Sequence, residues 1–405
     1  MTDHSYVCAF RGRRDSYQVP LALAEAGWLD AFITDAYSLP WLRALSAKLP
    51  QQLREKIAFR HEPGIPNARV RCLWGTTLHE HLRHRLGCAP MVTYNKLDAR
   101  FSEAAAARAA RTRADLFLYS PYAWEAFTAR YPHTPRKVLF QYHPHPEMES
   151  RIMMEDKQSH PGIGESFSGT DGISLPEALT RRERDAWRHA DLIFCASSFT
   201  RRSLVEAGCD ESRCRIVPYG IELPEVTQGY PGGGAFHAVM VGSGGQRKGL
   251  HHLLLAWRRA ALPANSRLTL VCRVLDRGIR QLVAETPRVE LRTGVSAAEL
   301  NRLYATSTLF VMPSLVEGFG QVYLEALAQG CPVLGTPNTC LPDIGTEADG
   351  VFITPTGDVE VLTARLEFLA VRLMGDTRLR VRARDCAARF TWAAFRKGIQ
   401  AALAA

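Results

Sequence analysis

Short apolar runs alternate with longer helical repeats from one end of the chain to the other, and that alternation leaves few folds open. In the first half the runs Tyr6–Phe10, Ala31–Thr34, Val70–Leu73, Leu116–Tyr119, Val138–Gln141, Leu192–Cys195 and Arg215–Val217 read as strands. In the second half Ala238–Val241, Leu268–Cys272, Val289–Leu291, Leu309–Met312, Val333–Gly335 and Val351–Ile353 read the same way. Helical patterns lie between them, among them Tyr17–Ala26, Phe101–Arg113, Leu175–His189, Leu250–Ala260 and Ala297–Thr306. Strand–helix alternation makes parallel sheets with helices on both faces. At 405 residues the chain exceeds one ordinary core, so two doubly wound α/β domains are expected. The pattern breaks at Glu225–Ala235, EVTQGYPGGGA, where Pro231 and three successive glycines suit neither helix nor strand. The expected organisation is a domain over 1–224, a linker over 225–235, a second domain over 236–384 and a closing segment over 385–405, helical after Trp392.

Two doubly wound domains joined by a linker leave a cleft, and ligands in such sheets bind at the carboxyl ends of strands. The net charge is +9, and between Trp41 and Arg113 there are 14 Lys or Arg against 5 Asp or Glu. Such an excess is either a solvated basic face or a match for an anionic partner. Nucleic acid is not expected, because no zinc-finger, RNP or helix-turn-helix pattern accompanies the charge. Trp41, Leu42, Leu45 and Leu49, interleaved with Arg43 and Lys48, read first as core packing and second as a basic amphipathic helix on an anionic bilayer. The ten cysteines form no Cys-x-x-Cys pair and sit mostly in apolar runs, which points to reduced, buried thiols. No apolar run reaches the roughly 18 residues of a membrane span, and the opening residues carry no secretory pattern. A cytoplasmic location follows, with a peripheral position at the inner membrane face as the bilayer reading of the basic helix.

The segment richest in chemistry is LFVMPSLVEGFGQVYLEALAQGCPVLGT, Leu309–Thr336. A buried strand runs into a loop, and a helix then spans about Gln321–Gln329 before Gly330 and Pro332 end it. Gly318 and Gly320 flank the helix start, where bare backbone N–H groups favour anions and hydroxyl oxygens. Glu317 and Glu325, eight residues apart, can grip different parts of one extended ligand.

The stretch PSLVEGFGQVYLEALAQGCPV resembles the Glu-x7-Glu signature of family-4 retaining glycosyltransferases, which have the GT-B fold. The resemblance extends through VMVGSGGQRKGLHHLLLAW, TGVSAAELNRLYATSTLFVMPS, CASSFTRRSLVEAG and IVPYGIE, and so covers most of Leu192–Gly335. It implies that Glu325 bonds the donor ribose and that Glu317 faces the transferred sugar. Gly318, Phe319 and Gly320 would offer backbone N–H groups, and Lys248 would contact the diphosphate. The loop holding Gly294 and Val295 would border the nucleotide. The family commonly carries an Arg after the glycine that ends its first strand, where this chain has Ser243. Arg247 or Arg273 would then complete the phosphate contact. Adjacent residues entering a helix point apart, so Arg247 and Lys248 are not expected to serve equally.

Further candidates lie nearer the start. VLFQYHPHPEME presents His143 and His145 after a strand; His143 fits a sugar contact by its spacing, against the plainer reading of a loop histidine between prolines. His143, His145 and Glu147 match no common metal site, and neither metal nor cofactor is expected. The loop RGRRDSY, with Gly12 and Arg13, is either an acceptor or phosphate contact or a solvated loop. The function expected from the resemblance is hexosyl transfer from a nucleotide-diphosphate-sugar, with retention, to a glycan or lipid-linked glycan of envelope or exopolysaccharide synthesis. The alternatives are a phosphorylase-type GT-B enzyme and a non-catalytic nucleotide binder.

Overall fold

The computed structural model describes residues 4–46, 49–76, 90–164, 177–225 and 234–405. Each expected apolar run forms a strand. They are β1 (Tyr6–Ala9), β2 (Leu29–Thr34), β3 (Val70–Cys72), β4 (Asp115–Tyr119), β5 (Lys137–Gln141), β6 (Leu192–Cys195) and β7 (Cys214–Ile216). The second half supplies β8 (His237–Val241), β9 (Arg267–Val271), β10 (Val289–Arg292), β11 (Leu309–Val311), β12 (Val333–Gly335) and β13 (Val351–Ile353). The first sheet has the order β3-β2-β1-β4-β5-β6-β7 and the second β10-β9-β8-β11-β12-β13. Every pairing is parallel. Both cores are dry: Val7, Cys8, Ala9, Leu116, Phe117 and Val239 are fully buried, which is why these strands read as apolar without alternation.

The strand order reverses beside β1 and β4 in one sheet and beside β8 and β11 in the other. Connections on the two sides of such a reversal leave over opposite faces and open a crevice at the strand ends. The loops after β1, β4, β8 and β11 are therefore the ones the fold offers to a ligand.

Helices α1 (Gln18–Glu25), α2 (Pro40–Ser46), α3 (Gln51–Ala58), α4 (Pro90–Thr112), α5 (Pro146–Ser159), α6 (Ser198–Glu206), α7 (Leu250–Arg259), α8 (Ala297–Thr306), α9 (Gln321–Ala328) and α10 (Trp392–Ala404) cover the sheets or join them. The last lies back on the first domain. Phe395, Ile399 and Leu403 are buried there, Arg396 Nε donates to Glu25 Oε2 at 2.9 Å, and Gln400 Nε2 donates to the Ala22 carbonyl at 2.9 Å. A bridge between Ile221 and Thr391 ties the two chain crossings together. Of the expected linker 225–235, residues 226–233 lie outside the described residues.

Three expectations change. The helix expected from Phe101 begins at Pro90, because proline suits a first turn whose N–H groups have no partner. The helix expected over Leu175–His189 is α-helical over Glu177–Asp185 and tightens to 3-10 over Ala186–His189; residues 175 and 176 lie outside the described residues. Of the apolar residues expected in a core, Trp41 is 54% and Leu45 63% exposed, Leu49 is exposed, and Leu42 is half-buried; Leu53 and Phe59 nearby are exposed with them. The nine described cysteines are unpaired and eight are buried; Cys88 lies outside the described residues.

Candidate active site

The loop after β8, SGGQRKG, is shaped by its glycines. Gly249 has φ 64°, and a Cβ on it would collide with the Pro313 carbonyl. Only glycine lets this turn press against the loop that follows β11. Gln246–Lys248 wind as a 3-10 turn rather than an α-helix. The two adjacent cations consequently converge instead of pointing apart, which corrects the expectation for Arg247 and Lys248. Arg247 Nη1 donates to Glu317 Oε2 at 3.3 Å and to the Val316 carbonyl at 3.3 Å, while the Lys248 ammonium contacts the same Glu317 oxygen. Ser243 and Arg273 are both exposed.

Glu317 is buried at 8% exposure. Burial alone would raise its carboxyl, but Lys248 and then Arg247 outweigh it and bring the group down to about 2. Its backbone N–H donates to the Asn338 carbonyl at 3.0 Å. The next residue seals the two domains together. A Cβ on Gly318 would strike the Tyr142 carbonyl, and Ser197 Oγ donates to the Gly318 carbonyl at 2.6 Å. Arg202 Nη2 to Asn338 Oδ1 at 3.0 Å and Ser198 N–H to Asp343 Oδ2 at 2.8 Å cross the same seam. Phe319 is buried with its ring edge against Tyr219, and Gly320, at φ 88°, opens α9.

Glu325 stands on α9, half-buried, and Tyr304 on α8 donates to its Oε2 at 3.4 Å. Burial pushes this carboxyl up, opposed by the Tyr304 hydroxyl. Gly294 and Val295 begin the loop before α8; Gly294 is exposed and turns at φ 67°, and nothing lies where its Cβ would be.

From the first domain, His143 reaches the same cluster. Part of its surface opens to the cleft, yet protein encloses the ring. Burial drives the imidazole down to about 3, helped by Arg247 and opposed by Glu317. Its Nδ1 has no hydrogen-bond partner, so a ligand hydroxyl would satisfy an atom that is otherwise orphaned. His145 is different: its Nδ1 accepts from the Glu147 N–H at the start of α5, and its Nε2 donates to the Arg184 carbonyl at 3.0 Å. Both of its nitrogens are committed, so it is a structural residue.

The loop after β1 holds more than the sequence reading assigned to it. Gly12 N–H donates to Asp35 Oδ1 at 3.0 Å, and Arg13 lies 4.5 Å from the Phe59 ring centre. Beside them, Asp15, Ser16 and Tyr17 are all left-handed, at φ 46°, 50° and 63°. Three such non-glycine residues in a row store strain that the surroundings must hold in place. The hold is visible: Asp15 Oδ2 accepts from Tyr119 at 2.8 Å and from Tyr219 at 3.0 Å. Arg14 stacks 4.2 Å from the Tyr142 ring centre. Asp15 and Tyr304 escape sequence reasoning, because no spacing distinguishes them and only burial does.

Comparison with known proteins fits both halves. Residues 40–224 match the family described as Glycosyltransferase Family 4 and residues 235–371 the family described as Glycosyl transferases group 1. The MMP alpha-(1->4)-mannosyltransferase of Mycolicibacterium hassiacum is 27% identical over 191 residues, covering 46% of this chain and 46% of that protein. The O-antigen chain mannosyltransferase B of Escherichia coli is 29% identical over 137 residues, 32% of this chain and 35% of that one. The chain thus spans about half or less of the length of these relatives. Sucrose-phosphate synthase of Thermosynechococcus elongatus superposes with a TM-score of 0.67 at 18% identity, covering 99% of this chain and 98% of that one. HepE of Anabaena, solved with UDP and glucose, gives a TM-score of 0.58 at 14% identity and 99% coverage of both. The fold is GT-B, and each half of the chain matches a glycosyltransferase domain family.

His143 is held neutral. As pH falls below the ordinary imidazole value of 6.5, the unfolded chain takes up a proton that the folded site refuses, so the site loses stability between pH 6.5 and about 3. The His143 ring proton should show no titration shift by NMR from about pH 8 to about pH 5, whereas a midpoint near the ordinary value would contradict this burial.

Proposed function

We propose that the chain transfers a hexosyl group, with retention of configuration, from a nucleotide-diphosphate-sugar to a glycan or lipid-linked glycan. The observation that carries this is the convergence of Lys248 and Arg247 on Glu317 at the point where the second sheet reverses, with Glu325 two helical turns on. A diphosphate brings the negative charge that Glu317 now supplies. On donor binding Lys248 exchanges the carboxylate for phosphate oxygens, and the leaving diphosphate meets a cation already in place. Glu325 accepts from the ribose hydroxyls and Glu317 turns to the sugar, with the N–H groups of Gly318, Phe319 and Gly320 beside it. His143 bonds a sugar hydroxyl from the other domain. In this reading the first domain, with its Gly12 and Arg13 loop, takes the acceptor, and the second takes the nucleotide.

Mannosyl is the first sugar to test, since two relatives are named mannosyltransferases, and UDP the first base to set beside GDP, since HepE was solved with it. A thermal-shift panel of UDP- and GDP-sugars selects the donor, and NMR of the first product reads its anomeric configuration. Glu325→Ala should weaken nucleotide binding about 10- to 150-fold, the loss of one hydrogen bond to a charged group. Unchanged affinity in the folded variant, by calorimetry, would remove the ribose role.

The exposed Trp41, Leu45, Leu49 and Leu53, together with Arg43, Arg54 and Lys56, support a peripheral contact of α2 and α3 with an anionic bilayer. No helix among the described residues is long and apolar enough to cross a membrane. The protein should co-sediment with phosphatidylglycerol vesicles and not with phosphatidylcholine vesicles, and Trp41→Ser with Leu45→Ser should abolish the difference. Equal sedimentation with both lipids would leave these residues without that role.

A further inference from the structure

Away from the reacting groups, Asp156 near the end of α5, His160 at its C-cap, and His251 and His252 on α7 come together between the two domains. Each offers one ligand atom, and the four atoms lie within 4.8 Å of one another. Asp156, His251 and His252 are buried, His251 completely. His251 Nε2 is 3.1 Å from Asp156 Oδ1, His252 Nε2 2.7 Å and His160 Nδ1 3.4 Å. Three imidazoles thus face one carboxylate oxygen, with ring centres 4.0 to 5.0 Å apart.

One carboxylate does not satisfy this arrangement. His252 Nε2 stands 2.7 Å from the carboxylate but makes no hydrogen bond that meets geometric criteria, and its Nδ1 makes none either. A buried polar atom left without a hydrogen bond is costly to the fold. A divalent ion suits the cluster better, because it takes one nitrogen lone pair from each ring, the unsatisfied His252 Nε2 included, and one carboxylate oxygen in place of direct His–Asp contacts. Imidazole with carboxylate suits zinc and its neighbours among the transition metals. Around tetrahedral zinc, ligand atoms about 2.0–2.1 Å from the ion sit about 3.3 Å from each other, close to the His–Asp separations of 2.7, 3.1 and 3.4 Å. The outer contacts are also in place: Gln246 Nε2 donates to Asp156 Oδ2 at 2.7 Å and to the Met153 carbonyl at 2.8 Å, fixing the carboxylate as ligand-supporting groups do.

We propose that Asp156, His160, His251 and His252 form a binding site for a zinc-class divalent ion that clamps the two domains. Helix α5 starts directly after the His143 loop, and α7 directly after the Lys248 turn. An ion joining these helices fixes both halves of the transfer site relative to each other while standing apart from the reacting atoms. No single segment carries the four ligands, so the spacing of residues in sequence gives no metal signal.

The test is zinc binding by the chelator-treated full chain, followed by calorimetry and thermal unfolding, and it does not depend on transferase activity. One Zn2+ per chain is expected, with a dissociation constant of about 1 µM or tighter and a raised Tm. His252→Ala should weaken binding at least about 100-fold and abolish the Tm rise. His160→Ala, at the solvent-facing edge of the cluster, should do the same if His252→Ala fails to fold. No stoichiometric binding, or zinc binding equally tight in the His160→Ala and Asp156→Asn variants, would overturn the proposal.

Discussion

A buried carboxylate shared by two cations, Glu317 with Lys248 and Arg247, is the interaction around which the rest of the site is arranged. Burial alone would raise the Glu317 carboxyl; Lys248 and then Arg247 outweigh it and hold the group down at about 2. They hold it only because Gly249 lets the β8 loop close against Pro313 and because a 3-10 turn points both side chains the same way. The pair is therefore a consequence of backbone geometry as much as of charge. On the proposed function it also prepares a charge exchange, since cations already gathered at one carboxylate need little rearrangement to meet a diphosphate.

The same loop couples that chemistry to domain closure. Gly318 follows Glu317 directly, and its carbonyl accepts from Ser197 while its Cα lies against the Tyr142 carbonyl. Any shift of one domain against the other moves Glu317, His143 and the seal between them together. The crossing of α10 onto α1 and the Ile221–Thr391 bridge limit how that shift occurs. On the proposed function, a seam held in this way would exclude water from a donor that water could otherwise cleave.

The strands were legible because buried parallel strands read as unbroken apolar runs, and all thirteen expected runs are strands in the two sheets. The positions of Glu317 and Lys248 were legible, after β11 and β8 where the second sheet reverses, and so was that of His143 in the loop after β5. What the sequence hid was set by three-dimensional burial. Tyr304 reaches Glu325 from another helix, and Asp15 sits under two tyrosines more than a hundred residues away. Trp41 and Leu45 look like core residues by composition, yet among the described residues no element covers them. The convergence of Arg247 with Lys248 was missed for a different reason: an α-helical start was assumed where the glycine-rich turn winds more tightly.

The central claim is that Lys248 stabilises the departing diphosphate while Arg247, bonded also to the Val316 carbonyl, mainly holds the loop. Steady-state kinetics of Lys248→Ala and Arg247→Ala with the selected donor tests it most directly. The account predicts that Lys248→Ala lowers kcat by about 100-fold or more with a smaller change in donor KM, and that Arg247→Ala costs clearly less. A larger loss for Arg247→Ala, or an unchanged kcat for Lys248→Ala in a folded protein, would contradict it.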